Sequence, residues 1–319
     1  MNKHTACILG GTGFVGRHLA SRLVSEDWLV CIPSRHPERH RDLLVLPTAR
    51  VVAADIHDPH ALKQLFTGCD VVINLIGILN ENKKQLFRTA HVELPRKIMD
   101  ACHKTHVPRL LHMSALNADA GRAPSKYLRT KGEGKNLVHQ SPSKDLHVTS
   151  FCPSVIFGFD DSFFNRFASL LKSTPFVFPL ACPDTRFAPV YVDDVAHAFA
   201  TSIDNKATFN QYYDLCGPRT YTLKQLVEYT AQCIGIRRKV IGLGDMLSQL
   251  QASLLGLLPG KPFTQDNYQS LQIDSVCEGP FPEVFGITPT AVESVVPLYL
   301  AHMSQRMRYN DFRQARNNS

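Results

Sequence analysis

Six short runs rich in Val, Ile and Leu recur through the first half of the chain, with segments of helical spacing between them. They are "HTACILG" (4–10), "WLVCIP" (28–33), "RVVAAD" (50–55), "DVVINLIG" (70–77), "RLLHMS" (109–114) and "HVTSFCP" (147–153). The runs are continuous rather than alternating, as strands buried on both faces must be, and helices between successive strands make the strands parallel. The first helix is "FVGRHLASRLVSE", in which Phe14, Leu19, Leu23 and Val24 have helical spacing; others are expected over 59–67, 84–105 and 124–139. The pattern predicts an α/β fold built on a doubly wound parallel sheet.

Beyond about residue 158 the rhythm loosens. A Phe-rich helical piece, "DSFFNRFASLLKS", leads into the Pro-rich "TPFVFPLACPDTRFAPV". Then "YVDDVAHAFATSI" reads as a helix capped by Asp193 or Asp194, followed by a strand "QYYDLCG" and a helix "TLKQLVEYTAQCIG". The expected organisation is a nucleotide-binding domain over 1–158 to which 188–216 contribute, and a smaller interleaved C-terminal lobe formed by 159–187 and 217–319.

A chain of 319 residues, 44% apolar and 20% charged, is long enough to bury a sizeable core. Its longest apolar stretch, "VVINLIGIL" at 71–79, is too short to cross a bilayer and contains Asn74, so no transmembrane segment is expected. Nor is a secretory signal. Nine scattered cysteines without a C-x-x-C pair suit a reducing compartment, and the expected location is cytoplasmic, with peripheral attachment at an inner membrane left open. The net charge of +7 favours anions in general.

The most specific motif is "ILGGTGFVGRHL", at the turn between the first strand and first helix. Gly10 permits the tight turn, Gly13 lets the backbone approach a pyrophosphate, and Gly16 lets the helix pack closely on the sheet. The amides at the helix N-terminus then meet the phosphate, so the turn reads as a dinucleotide site. The second strand runs into Ser34 and Arg35 where a ribose-binding carboxylate would stand. A guanidinium that can fork onto a 2'-phosphate favours NADP(H), with NAD(H) still open. Asp55, ending the third strand, is placed either to meet the adenine amino group or to cap the helix that begins near Pro59.

"GGTGFVG", "AADIHD", "INLIG", the serine of "LLHMSAL", "YLRTK" and "PVYVDDVA" together resemble the short-chain dehydrogenase/reductase superfamily. More narrowly, they resemble its atypical branch related to the nucleotide-binding accessory subunit of respiratory complex I and to NAD(P)-dependent epimerase/dehydratase-like proteins. The resemblance spans roughly residues 4–235. It implies a Rossmann-type domain with a C-terminal substrate lobe, an NAD(P) cofactor and, in the complex I branch, NADPH held without turnover.

Tyr127 and Lys131 are four apart, so one helix face presents a phenol and an ammonium to the same ligand. In the superfamily mechanism that the resemblance implies, the lysine holds the nicotinamide ribose and the tyrosine exchanges a proton with the substrate oxygen, while Ser114 donates to that oxygen. Bringing a phenol from near 10 to about 7 needs roughly 4 kcal/mol of differential stabilisation. The same residues serve equally as a ribose anchor, in which case binding energy goes to retention and no rate follows. By resemblance, Thr12 and Phe14 line the pyrophosphate turn, Asn74 and Gly77 the end of the fourth strand, and Pro153 with Ser154 the nicotinamide face. Asp194 reads as structural.

The histidine pairs His36/His40, His57/His60 and His103/His106 lack metal-site spacing, so no metal is expected, and no nucleic-acid motif is present. In "LGDMLSQLQASLLGLLPG" (243–260), Leu243, Leu247, Leu250, Leu254 and Leu258 form a stripe at helical spacing. The expectation is core first, then a protein partner, then a membrane surface, because Gln249, Gln251 and Ser253 make a weakly polar opposite side. "RMRYNDFRQARNNS" reads as a basic tail able to touch anionic lipid. The identity of a small-molecule substrate is not legible in any of these segments.

Overall fold

The computed structural model describes residues 4–82, 86–140, 145–257 and 263–301. The chain forms two compact units, one of 1–153, 192–215 and 279–287, the other of 154–191, 216–278 and 288–319.

The first unit holds a seven-stranded, all-parallel sheet made of β1 (Thr5–Leu9), β2 (Leu29–Ser34), β3 (Ala49–Ala53), β4 (Val71–Asn74), β5 (Arg109–Met113), β6 (His147–Pro153) and β7 (Gln211–Leu215). Their spatial order is β7-β6-β5-β4-β1-β2-β3. The order reverses beside β1, which opens a crevice at the carboxyl ends of β1 and β4, where open α/β sheets place ligands. All six apolar runs became strands. β1, β4 and β5 are buried almost throughout, as coverage on both faces demands.

Four helices connect these strands: α1 (Phe14–Ser25), α2 (Pro59–Phe66), α3 (Leu94–Thr105) and α4 (Lys126–Gln140). The helix expected over 84–105 enters through a π-helical turn, Thr89–Glu93; its positions 84 and 85 lie outside the described residues. One side of the sheet packs Leu9, Val72 and Leu110 against Leu62, Phe66, Ile98 and Val138.

The second unit contains α5 (Phe164–Ser173), and the first resumes with α6 (Val192–Ser202). Asp193 and Asp194 both lie inside the first turn of α6, where a carboxylate complements the helix dipole. Asp193 is bound by His18 Nδ1 at 2.5 Å, tying α6 to α1, and Asp194 is buried.

The second unit also contains α7 (Leu223–Cys233), α8 (Asp245–Leu255) and α9 (Gln265–Ser270), with short strand pairs. α7 starts at a capping box between Thr222 and Gln225. Its core gathers Phe157, Phe164, Phe187, Leu226, Val227 and Val296. A disulfide joins Cys216 to Cys277 across 61 residues, and the other seven cysteines are free. That pairing is invisible in spacing, so the scatter of cysteines carries no argument for a reducing compartment.

The leucine stripe departs from the expected core placement. Leu247, Leu250 and Leu254 are exposed on α8, Leu243 precedes the helix half-buried, and Leu258 lies outside the described residues. α8 packs through the small Ser248 and Ala252 instead, both fully buried, because only small side chains let it approach the strands beneath it. The basic segment 306–319 lies outside the described residues. Among the described residues no helix is long and apolar enough to cross a membrane.

Candidate nucleotide site

β1 ends at Leu9 and α1 begins at Phe14, so four residues make the whole turn. Gly10 occupies φ +84°, where a side chain is strained. Gly16 is required by proximity: a Cβ there would stand 2.3 Å from the Gly10 carbonyl oxygen and 2.5 Å from Gly11 Cα. Gly13 is the N-cap residue of α1, and no side chain caps that end. The Thr12 carbonyl accepts from Arg17 Nε at 2.9 Å, while Arg17 also pairs with Asp42. Phe14 sits edge-on to His18.

At the end of β2, Ser34 Oγ accepts the His36 amide at 3.2 Å and Arg35 is exposed. Asp55 is exposed after β3 and accepts the His57 amide at 2.9 Å. It does not cap α2; Asp58 does, accepting from His60 N at 2.9 Å. The cap lies next to Pro59 because Pro at the first helical position needs no amide partner.

Lys131 is the centre of the site. Its ammonium is buried and donates to the Met113 carbonyl at 3.0 Å and to the Ile76 carbonyl at 3.4 Å, bridging the ends of β5 and β4. Burial pushes its pKa down to about 8. Gly77 makes room for it, since a Cβ there would lie 3.1 Å from Lys131 Nζ. Ser114, buried at the end of β5, donates from Oγ to the Lys131 carbonyl at 3.4 Å. Tyr127 stands one turn before Lys131 on α4, and its ring packs edge-on against His91 and Phe87. Asn74 closes β4: Oδ1 accepts the Ile76 amide at 3.1 Å and Nδ2 donates to His112 Nδ1 at 3.1 Å.

Ser114, Lys131, Asn74 and Gly77 therefore converge at the carboxyl ends of β4 and β5, with Tyr127 on the adjoining turn of α4. The glycine turn stands beside them on β1, whose neighbour is β4. Pro153 ends β6 and its carbonyl accepts the Leu116 amide at 3.0 Å. Ser154, in the second unit, donates to the Ser275 carbonyl at 2.7 Å.

Sequence reasoning missed His91 and His112. His91 accepts the Ile78 amide on Nε2 at 3.2 Å, so its Nδ1 carries the proton that goes to Thr130 Oγ1 at 3.0 Å. A Cβ on Gly77 would lie 3.9 Å from His91 Nε2, which places the imidazole beside Lys131. The signal for His112 was present, as a polar residue inside the apolar run "RLLHMS". His91 sits in a helical segment with no such contrast.

Burial, reinforced by Lys131, pushes His91 down to about 2 and His112 down to about 3. Both are neutral when folded and gain a proton on unfolding at any pH between those values and about 6.5. Stability is thus unaffected by them above about 6.5 and falls as the pH drops below it. Two protons taken up give a slope of about 2.7 kcal/mol per pH unit. Burial also pushes His139 down to about 4, adding to the loss in the same range. Urea titrations of nucleotide-stripped protein between pH 6.5 and 4.5 should show this loss, and His112→Asn should remove one proton's share of the slope, about 1.4 kcal/mol per pH unit.

The sheet order, the glycine turn and the buried lysine define an NAD(P)-binding Rossmann protein. A family model described as NAD(P)H-binding matches residues 10–156. The chain is 29% identical over 255 residues to the NADH-ubiquinone oxidoreductase 40 kDa subunit, mitochondrial, of Neurospora crassa, covering 79% of this chain and 66% of that subunit. It thus spans about two thirds of that relative's length. It is 29% identical over 300 residues to NADH dehydrogenase [ubiquinone] 1 alpha subcomplex subunit 9, mitochondrial, of Rattus norvegicus, covering 90% of this chain and 77% of the rat subunit. The fold also matches NADPH-dependent quinone oxidoreductase QOR2 complexed with NADPH from Escherichia coli, with a TM-score of 0.71 at 17% identity over 95% and 99% of the two chains. The protein is similar in sequence to these NADH dehydrogenase subunits, and its fold is shared with UDP-glucose 4-epimerase of Thermotoga maritima at a TM-score of 0.71, 14% identity and 95% and 99% coverage of the two chains.

Proposed function

We propose that the protein retains NADP(H) as a structural cofactor and works as an accessory or assembly protein of a respiratory NADH dehydrogenase. The observation that carries this reading is the buried Lys131 ammonium, held by two backbone carbonyls at the ends of β4 and β5. A desolvated cation in that position gains from the hydroxyl oxygens of a bound ribose. Binding energy then goes into closing the ends of the sheet, so the nucleotide stabilises the fold by mass action. The similarity to complex I subunits over 79% and 90% of this chain supports the choice of partner. In this reading the glycine turn takes the pyrophosphate, Asp55 the adenine side, Asn74 and Gly77 the middle of the dinucleotide, and Pro153 with Ser154 the nicotinamide face.

Ser34 and Arg35 select the phosphorylated dinucleotide. Calorimetric titration of stripped protein should show tighter binding of NADPH than of NADH, and Arg35→Ala should remove most of the difference. Equal affinities in the parent protein would end the assignment of Arg35. Native mass spectrometry of the freshly purified protein should find NADP(H) bound, and affinity capture from a native membrane extract should recover NADH dehydrogenase subunits.

A second reading rests on Ser114 at the end of β5 and on Tyr127 and Lys131 one turn apart on α4: an oxidoreductase acting on a carbonyl/alcohol pair. A bound nicotinamide would supply the hydride, Tyr127 the proton and Lys131 the ribose contact. A sugar-nucleotide epimerase would use the same three residues. A substrate panel followed by nicotinamide absorbance discriminates the readings, since turnover abolished by Tyr127→Phe with NADPH affinity intact would favour the enzyme.

A further inference from the structure

We infer that the second unit carries a docking face for an anionic lipid surface, centred on α8. Met246, Leu247, Leu250, Leu254 and Leu257 are 83%, 54%, 53%, 59% and 84% exposed. At the helical repeat their Cα positions fall within an arc of about 100°. The arc starts inside α8 and ends with Leu257, in the turn just beyond it.

The opposite side of α8 explains why these leucines stay outside. Ser248 and Ala252 are fully buried there; Ser248 Oγ accepts the Cys182 amide at 3.4 Å, and Gln251 Nε2 donates to the Pro179 carbonyl at 3.1 Å. At the N-terminal end Asp245 accepts from the Tyr268 hydroxyl, and Gln249 Nε2 donates to the same oxygen at 3.2 Å. Polar contacts and small side chains therefore fix the helix, while Met246, Leu247, Leu250 and Leu254 leave more than half of their surface to solvent. An apolar face so disposed marks an interaction surface.

The strand pair beneath α8, Val177–Leu180 with Lys239–Gly242, adds to the argument. Ile241 is 42% exposed, and Phe176, just before the first strand, is 84% exposed at φ +57°. A left-handed backbone at an aromatic residue is costly, and here it presents a ring to solvent. Arg237 and Lys239 are exposed on the approach to and start of the second strand. Aliphatic side chains and a phenyl ring flanked by cations are the composition that enters the headgroup boundary of an anionic bilayer. The α8 arc holds no Tyr, Trp or Arg, the anchors that dominate protein–protein hot spots, and no acidic residue that would repel lipid phosphate. The net charge of +7 acts in the same direction. At about 16 Å, α8 lies along the interface rather than through it.

The test is flotation of the full chain with vesicles of phosphatidylcholine plus phosphatidylglycerol, beside vesicles of phosphatidylcholine alone. The parent protein should float with the anionic vesicles, and added salt should weaken the association. The double variant Leu250→Asp/Leu254→Asp should abolish flotation, and Arg237→Glu/Lys239→Glu should weaken it at least about tenfold. Each variant should keep the parent's melting temperature and NADPH-induced thermal shift, since none of the four positions packs into the unit or lies at the nucleotide turn. Absence of flotation by the parent overturns the proposal, as does flotation unchanged in both variants. Sedimentation velocity provides the competing outcome: a dimer dissolved by the leucine variant, without vesicle binding, would assign the face to a second copy. Thermal shift reads nucleotide binding separately, so failure of docking leaves the cofactor reading standing.

Discussion

Replacing Arg109 by alanine should cost about 3–5 kcal/mol and lower the melting temperature by on the order of 10 °C. The guanidinium is buried at the start of β5 and makes five hydrogen bonds. Nε donates to the Ile203 carbonyl at 3.2 Å and Nη1 to the His147 carbonyl at 3.1 Å. Nη2 reaches Thr149 Oγ1 at 2.6 Å, the Ser202 carbonyl at 2.8 Å and Thr208 Oγ1 at 2.9 Å. Phe209 stacks on the group at 4.6 Å. Burial pushes its pKa down to about 10, with Asp204 and Tyr213 opposing, so it stays charged at neutral pH. One side chain thereby joins β5, β6, the end of α6 and the lead into β7. Alanine leaves the acceptors unmet in a space without water access, which costs far more than an average hydrogen bond. Arg109→Lys should recover only part of the loss, because an ammonium cannot reach acceptors spread around a planar fork. Circular dichroism melting of the three proteins gives the order directly. An alanine variant melting with the parent would show that the network contributes nothing.

The second large effect is expected at Gly16. A methyl group there cannot be accommodated by side-chain movement, because its neighbours at 2.3 and 2.5 Å are the backbone of Gly10 and Gly11. α1 must shift outward by about an ångström, carrying its N-terminal amides off the pyrophosphate position. Misplacement on that scale is worth on the order of 100-fold in a positioned interaction, about 2.7 kcal/mol. Gly16→Ala should therefore weaken NADPH binding by about that factor while the far-ultraviolet spectrum stays native. Gly244→Ala supplies the control: its added methyl meets open space at φ −64°, so affinity should not change. Titration calorimetry on both variants makes the comparison, and equal losses would mean that the turn is not a close-approach site.

Legibility of the fold followed from how local each signal was. The apolar runs were legible as strands because the central strands of a parallel sheet covered on both faces are buried nearly throughout, while the edge strand β3 kept only a half-buried pattern. The glycine turn was legible for the same reason, since its backbone demands restrict the residue type at the position itself. Tyr127 and Lys131 were paired by a single helix, and four residues of separation sufficed to place them together.

Other features depended on contacts between distant segments. Asp55 was open to two roles in the sequence, adenine contact or helix cap, and only the path of the chain after β3 gave the capping role to Asp58. Cys216 meets Cys277 because the second unit brings together residues 61 apart. The periodicity of α8 correctly gave a helix and an apolar face, yet periodicity carries no information on which side faces the protein. Ser248 and Ala252 are buried because a close approach to the strands below needs small side chains, and the leucines are left to solvent by exclusion. The sequence by itself determined the sheet, the glycine turn and the spacing on α4, all of which arise from interactions within one or two elements. The tertiary structure alone decided the burial of Lys131, the hydrogen-bond fork of Arg109 and the outward face of α8, because each depends on which distant backbone lies against the side chain.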